Sequence, residues 1–336
     1  MKSLIAISSV VLALVTLATS SSTAEEPAAA AAPGYKIIKQ WPIGGDTRWD
    51  YLSLDVAARK LYIARSSHVS VINVDTGEVL GDLPNTAGVH GAAIAPEQEH
   101  GFTSNGKDGT VTMFDLKTIK PLETIKAGSK PDAIVFDPAT KTVFAFNGNS
   151  SDTTAIDAVT GKVLGTLALK GQPEFSASDE KGTMFVNLED KNEVVAFDAK
   201  KLEVLHRWPL APGKTPTGMA MDREHRRLFV GCRSQHMIVM DADSGKVIEK
   251  LPIGSGVDAT AFDPETGLAF ASCGDGTLTI IHEDSPDKFT VVETVKTFKG
   301  AKTMTLDTKT HNVIVAAVPP ATTSQPSQFT VLVIGK

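Results

Sequence analysis

Two acidic markers recur along this chain with one shared period, and that period constrains the fold more than any other feature. The phrases YLSLDVAARKLYIAR, DAIVFDPATKTVFAFN, GMAMDREHRRLFVGC, ATAFDPETGLAFASC and TMTLDTKTHNVIVAA align on an acidic turn. Around the repeat that turn falls at Asp55, Ala95 (a weaker copy), Asp137, Asp179, Asp222, Asp263 and Asp307, at intervals of 40, 42, 42, 43, 41 and 44 residues. A second marker, Asp75, Asp115, Asp157, Asp198 and Asp241, runs in step at intervals of 40, 42, 41 and 43. Each unit carries four short β-type runs; in the fifth they are Gly218–Met221, Arg227–Gly231, Met237–Asp241 and Val247–Leu251. Turn-forming residues separate the runs, and no helical period appears. Four antiparallel strands repeated at this spacing predict the blades of a propeller, not a helical solenoid.

The two ends fix the blade number. The seventh unit supplies three strands, Thr303–Leu306, Val313–Ala317 and Phe329–Ile334, and then stops at Lys336. Its missing fourth strand is found near the start, where Ile37-Ile-Lys-Gln-Trp-Pro-Ile-Gly44 matches the fourth-strand phrase Val247-Ile-Glu-Lys-Leu-Pro-Ile-Gly254. Pairing that segment with the last three strands removes two exposed sheet edges, which otherwise invite aggregation. The expected fold is therefore all-β, a seven-bladed propeller of four-stranded antiparallel blades closed by the N-terminal strand, over residues 35–336. A closed ring offers no free edge, which makes a monomer the default.

Ahead of the repeats, Lys2 and the apolar run Leu4–Leu17 precede the small residues Ser22-Thr23-Ala24. The run is too short to span a bilayer and reads as a cleaved export signal over residues 1–24, followed by an Ala/Pro-rich linker over 25–34. The expected location is periplasmic or secreted, with no membrane span. The whole chain has 33 basic and 39 acidic side chains, and loss of the signal removes only Lys2 among them. That balance, without a basic patch, argues against nucleic acid as a partner. Cys232 and Cys273 are the only cysteines. They occupy equivalent places in adjacent units, too far apart for a bridge, and are expected to be buried free thiols.

At the start of the second strand the units read Tyr62-Ile-Ala-Arg65, Phe102-Thr-Ser-Asn105, Phe144-Ala-Phe-Asn147, Phe229-Val-Gly-Cys232 and Phe270-Ala-Ser-Cys273. Pro131, Pro173 and Pro216 lead the first strand in three units, and Val71-Ile-Asn-Val-Asp75-Thr-Gly-Glu-Val79 and Ala155-Ile-Asp157-Ala-Val-Thr-Gly161-Lys-Val163 form hairpin phrases. In these features the chain resembles the YVTN-repeat, or YncE-like, propeller family across nearly its whole mature length. The resemblance implies the propeller fold and export but no common chemistry. Some members are reported to bind single-stranded DNA, a role that needs stacking platforms on a basic groove. This chain is acidic and has three Trp and three Tyr.

Counting five residues back from each acidic turn reaches the start of each innermost strand, where the channel opens. The residues there are Asp50, His90, Asp132, Glu174, Thr217, Asp258 and Lys302. Converging carboxylates repel one another, and a hard divalent cation, calcium or zinc, is the natural relief. Asp50, Asp132, Glu174 and Asp258 are its candidate ligands, with Asn105 and Asn147 as further carbonyl donors. The alternative is a wet polar mouth neutralised by Lys302 and solvent. His68, Arg233 and His236 fall in turns on the same face. Arg233 suits an anionic ligand, and Trp49 serves either as a stacking platform or as packing between two blades. The loop from Pro319 to Gln328 is long enough to cover the opening.

No catalytic motif is legible, and no established cofactor is implied. The sequence therefore favours a binding scaffold for a small molecule or a periplasmic protein. The alternative is a metal-dependent lactonase-type hydrolase that uses the carboxylate ring.

Overall fold

The computed structural model describes Met1, residues 34–323 and residues 326–336. The signal expected over 1–24 and the linker over 25–34 lie outside the described residues, apart from Met1 and Gly34. Seven four-stranded antiparallel sheets form from the seven repeats. The innermost strands are Leu52–Asp55, Val89–Ala95, Pro131–Asp137, Pro173–Ser178, Pro216–Asp222, Val257–Asp263 and Met304–Asp307, in blades 1 to 7. Each packs on the innermost strands of its two neighbours, and that of blade 7 on that of blade 1, so the ring is closed. No helix among the described residues is long and apolar enough to cross a membrane.

The closing strand lies where the repeat arithmetic puts it. Lys36–Pro42 pairs antiparallel with Thr330–Gly335, from Lys36 opposite Gly335 to Pro42 opposite Thr330. Its Trp41 packs on Gly77 of blade 1, where a Cβ would come within 2.3 Å of the indole; Gly77 also has φ +77°, a conformation that favours glycine. Trp208, in the outer strand of blade 4, meets Gly245 of blade 5 in the same way, at 2.1 Å with φ +71°. The N-terminal strand thus makes the contact that an ordinary outer strand makes one blade further on.

The core is divided between the blades. Seven apolar clusters fill the seven blade interfaces, such as Phe144 and Phe146 against Phe197 between blades 3 and 4. In blades 1 to 6 the aromatic residue that opens the second-strand phrase, Tyr62, Phe102, Phe144, Phe185, Phe229 or Phe270, is almost wholly buried there, and in blade 7 Ile314 takes its place. Cys232 and Cys273 are buried free thiols, and burial pushes both up to about 12.

The acidic markers have structural work. Asp115, Asp157, Asp198 and Asp241 close the hairpin between third and fourth strands, accepting backbone N–H groups two or three residues ahead. In blade 1 that position belongs to Asn73, whose Oδ1 accepts from Asp75 and Thr76. Asp75 is therefore two residues out of register with the other markers, because an amide and a carboxylate cap such a turn equally well. In blade 2 the first marker is lost at Ala95, and a 3₁₀ turn over Pro96–Gln98 takes its place.

The first-marker aspartates also latch neighbouring blades. Arg59, His311 and Arg226, all at left-handed φ in their turns, reach back one blade to Asp307, Asp263 and Asp179. Arg59 is the strongest of these, donating to both oxygens of Asp307 at 2.8 and 2.6 Å across the junction of blades 7 and 1.

Candidate ligand site at the channel mouth

The inner strands begin at the mouth, so one register position from every blade converges on it. The side chains do not form a single ring of carboxylates; they divide into three groups, each with its own counter-charge. In blades 1 to 3, His90 Nδ1 lies 2.6 Å from Asp50 Oδ2 and 3.4 Å from Asp132 Oδ1, and Lys130 Nζ lies 3.1 Å from Asp132 Oδ2. In blades 4 and 5, Arg233 Nη1 lies 2.8 Å from Glu189 Oε1, next to Glu174. In blades 6 and 7, Lys302 Nζ lies 2.9 Å from Asp258 Oδ2, with Arg233 Nη2 3.9 Å from the other oxygen.

Of the four expected cation ligands, the fold brings together Asp50 and Asp132, and it adds His90 to them. Their candidate ligand atoms lie within 4.8 Å of one another. Asp258 is held by Lys302, and Glu174 by its neighbours. Thr217 donates to the carbonyl of Val257 and joins blades 5 and 6. Asn105 and Asn147 are buried within their own blades, where each Nδ2 donates to Oγ1 of a third-strand threonine, Thr112 or Thr154; Asn105 Oδ1 accepts from Thr103, and Asn147 Oδ1 has no partner among the described residues. Arg233, in the turn after the second strand of blade 5, remains half-exposed but is engaged with two carboxylates. His68 pairs with Ser67 and Asp82 at 3.1 and 3.8 Å, away from this group. His236 Nδ1 is buried with no hydrogen-bond partner and joins none of the three groups. Trp49 has the packing role considered for it. It packs on Phe329 between blades 7 and 1 and donates to Thr303 Oγ1 at 3.0 Å. It also walls a cavity of about 440 Å³, with Asp50, His90 and Lys302 among the other lining residues. The described part of the 319–328 loop lines a separate cavity with Gln40, Pro42 and Phe298.

Three contributors were not picked out from the sequence. Glu189 stands directly after the second strand, where equivalent positions hold Gly106, Gly148 and Gly274. A long acidic side chain among glycines was the available signal. Lys130 precedes the strand-leading Pro131 and carried no such mark. Tyr51 follows Asp50 at a position occupied by Gly91, Ala133, Gly218 and Ala259 in other blades. Tyr51 is buried and reaches across the ring to blade 4. There its ring meets Phe175 edge-on at 5.1 Å and its hydroxyl donates to Glu174 Oε2 at 3.4 Å. The small residues in the intervening blades leave room for this pair; a Cβ on Gly91 would touch the Tyr51 ring at 3.3 Å.

Burial shifts the ionisation of the mouth. Glu174 is pushed up to about 9 by burial, by the charge of Asp132 and by a hydrogen bond with Glu189. Burial opposes the imidazolium of His90, but its hydrogen bond to Asp50 and the charge of Asp132 outweigh this and raise it. Burial also raises Asp258, despite Lys302. The folded form binds the Glu174 proton more tightly than the unfolded chain does. Stability from this group is therefore complete below the ordinary value of 4.5 and declines as pH rises toward about 9. Glu174→Gln, which mimics the protonated acid, is expected to raise the melting temperature at pH 8 and leave it nearly unchanged at pH 4. Equal shifts at both pH values would refute the assignment.

No family model matches the chain. It is 29% identical to the uncharacterized protein YncE of Escherichia coli (strain K12) over 156 residues, covering 43% of this chain and 44% of that protein. It is 28% identical to the YncE of Salmonella typhi over the same shares. The chain thus spans less than half the length of the curated relatives it matches. Among solved structures, it superposes on the WD40 repeats of RRP9 with a TM-score of 0.76 and 7% identity, covering 91% of this chain and 99% of that one. A chain of the mitotic checkpoint complex gives a TM-score of 0.74 and 14% identity, covering 95% and 98%. At these identities the solved structures share the fold alone.

Proposed function

Taking the chain as a YncE-like seven-bladed propeller, we propose that it is an exported binding scaffold, periplasmic or secreted, that holds a small polar ligand at the channel mouth. The cavity beside Trp49 carries this reading. It offers an indole face for an apolar body, the Asp50–His90 pair on one side and the Lys302 ammonium on another. A pocket of about 440 Å³ with a few convergent polar groups suits a metabolite-sized ligand. The acidic balance of the chain disfavours polyanions.

A second reading has one observation in its favour. Asp50, His90 and Asp132 form a three-ligand group that a divalent cation, calcium or zinc, would fit, and such a cation polarises a lactone carbonyl in a hydrolase. Lys130 competes for Asp132 in that arrangement.

Both readings are tested by thermal shift of the purified protein with calcium, zinc, δ-gluconolactone and a panel of small metabolites, each repeated on an Asp50→Asn/His90→Ala variant. A bound ligand raises the melting temperature by mass action, about 2.7 kcal/mol at a hundredfold excess over Kd. The expected result is a shift in the parent that the variant loses. Ligands that stabilise both proteins equally would remove the mouth from consideration. Metal shifts without lactone hydrolysis would dismiss the hydrolase alone. Fractionation of the source cells tests the location.

A further inference from the structure

Among the described residues, a second group of three metal-ligating side chains lies at the far end of the inner strands from the mouth: Asp222, His225 and Glu283. Asp222 ends the inner strand of blade 5, and His225 lies in the turn that follows it. Glu283 comes from blade 6, whose outer hairpin is built of two nine-residue strands, Thr277–Ser285 and Lys288–Lys296, where other strands have four to seven. The extra length leans this hairpin onto blade 5. Arg227 fixes it there, donating to the carbonyl of Pro286 at 2.6 Å and pairing with Asp287 at 3.1 Å.

The side chains of Asp222 and Glu283 are 3% and 4% exposed, whereas that of His225 is 42% exposed. His225 Nδ1 lies 2.8 Å from Asp222 Oδ2 and 3.0 Å from Glu283 Oε1. One ring nitrogen carries at most one proton and cannot serve two carboxylates well. In keeping with this, Glu283 Oε1 has only that 3.0 Å approach of His225, without hydrogen-bond geometry, and its buried Oε2 has no partner among the described residues. A buried carboxylate left in that condition is costly, and it points into the group. A cation between the three atoms would satisfy all of them. Mixed imidazole and carboxylate donors suit zinc-type first-row ions, bound at about 2.0–2.2 Å with a position left for water.

We propose that Asp222, His225 and Glu283 form a zinc-type divalent-cation site that staples blade 5 to blade 6 on the face opposite the mouth. The site is independent of the mouth and stands whether or not the mouth binds a metal.

The test is calorimetric titration of the full folded protein with zinc chloride in a His90→Ala background, which disables the mouth group. Cobalt(II) serves as a second probe, through its visible absorption. The expected result is one ion per chain, with affinity reduced more than about tenfold by His225→Ala and by Glu283→Gln. His225 is largely exposed, so its variant should fold, and circular dichroism of each metal-free variant confirms this. An imidazolium bridging the two acids, with no metal role, would appear as no zinc binding in the His90→Ala background, and that overturns the proposal. So does binding that His225→Ala and Glu283→Gln leave unchanged.

Discussion

A chain lacking residues 35–43 is expected to lose the folded ring, and not merely one strand of it. Those residues contribute buried Tyr35, which meets Phe270 edge-on at 5.7 Å, and the half-buried Ile37 and Trp41. They also contribute one of the two strands that pair with Thr330–Gly335, the other being Asn312–Ala317. Lost apolar burial alone amounts to roughly 5 kcal/mol, at about 1.5–3 kcal/mol for each large side chain removed from water. That is comparable to the entire net stability of a typical domain. The deletion also leaves Thr330–Gly335 as an open, strongly apolar edge, a template for association. Size-exclusion chromatography and thermal denaturation of the 44–336 fragment should show a large fall in melting temperature and soluble oligomers. A synthetic 35–43 peptide added in excess should partly restore both. A monomeric fragment melting within a few degrees of the parent would show that ring closure contributes little.

Arg59→Ala is expected to cost about 3 kcal/mol, the usual order for stranding one member of a buried ion pair. The guanidinium bonds both oxygens of Asp307, whose side chain is only 3% exposed, and also reaches Asp75. Removing it leaves a buried carboxylate with one side-chain donor, Thr310. The pH dependence gives a separate check. Burial acts to raise Asp307, but hydrogen bonds from Arg59 and Thr310 outweigh it and hold the carboxyl below its ordinary range. Its stabilising contribution is thus present above the ordinary carboxylate value and is lost as pH falls through the folded one. Urea denaturation at pH 7 and pH 3 should show the difference between parent and variant narrowing at the lower pH. A difference that stays constant across that range would mean the side chain acts through packing alone.

The architecture could be read from the sequence because each blade repeats one physical solution. The buried aromatic of the second strand, the acidic turn and the closing phrase around Trp41 are local signals. Each is set by burial or by backbone caps that nearly every copy provides. Even so, Asp75 was placed two residues from its true equivalent Asn73, since spacing alone does not separate two polar residues in one turn. The mouth was legible only in part. Register identified which residues converge, but not which of them pair. Asp50, His90 and Asp132 meet because blades 1, 2 and 3 are adjacent. Asp258 is captured by Lys302 and Arg233, and these choices depend on side-chain reach across the ring. The latches from Arg59, Arg226 and His311 to the preceding blade were hidden for the same reason.

The edge-on contact of Tyr51 with Phe175 has a mechanical consequence. Blades 1 and 4 are not neighbours, so this pair is a tie across the ring, and the two blades cannot spread apart without parting an aromatic contact of about 0.5–1.5 kcal/mol.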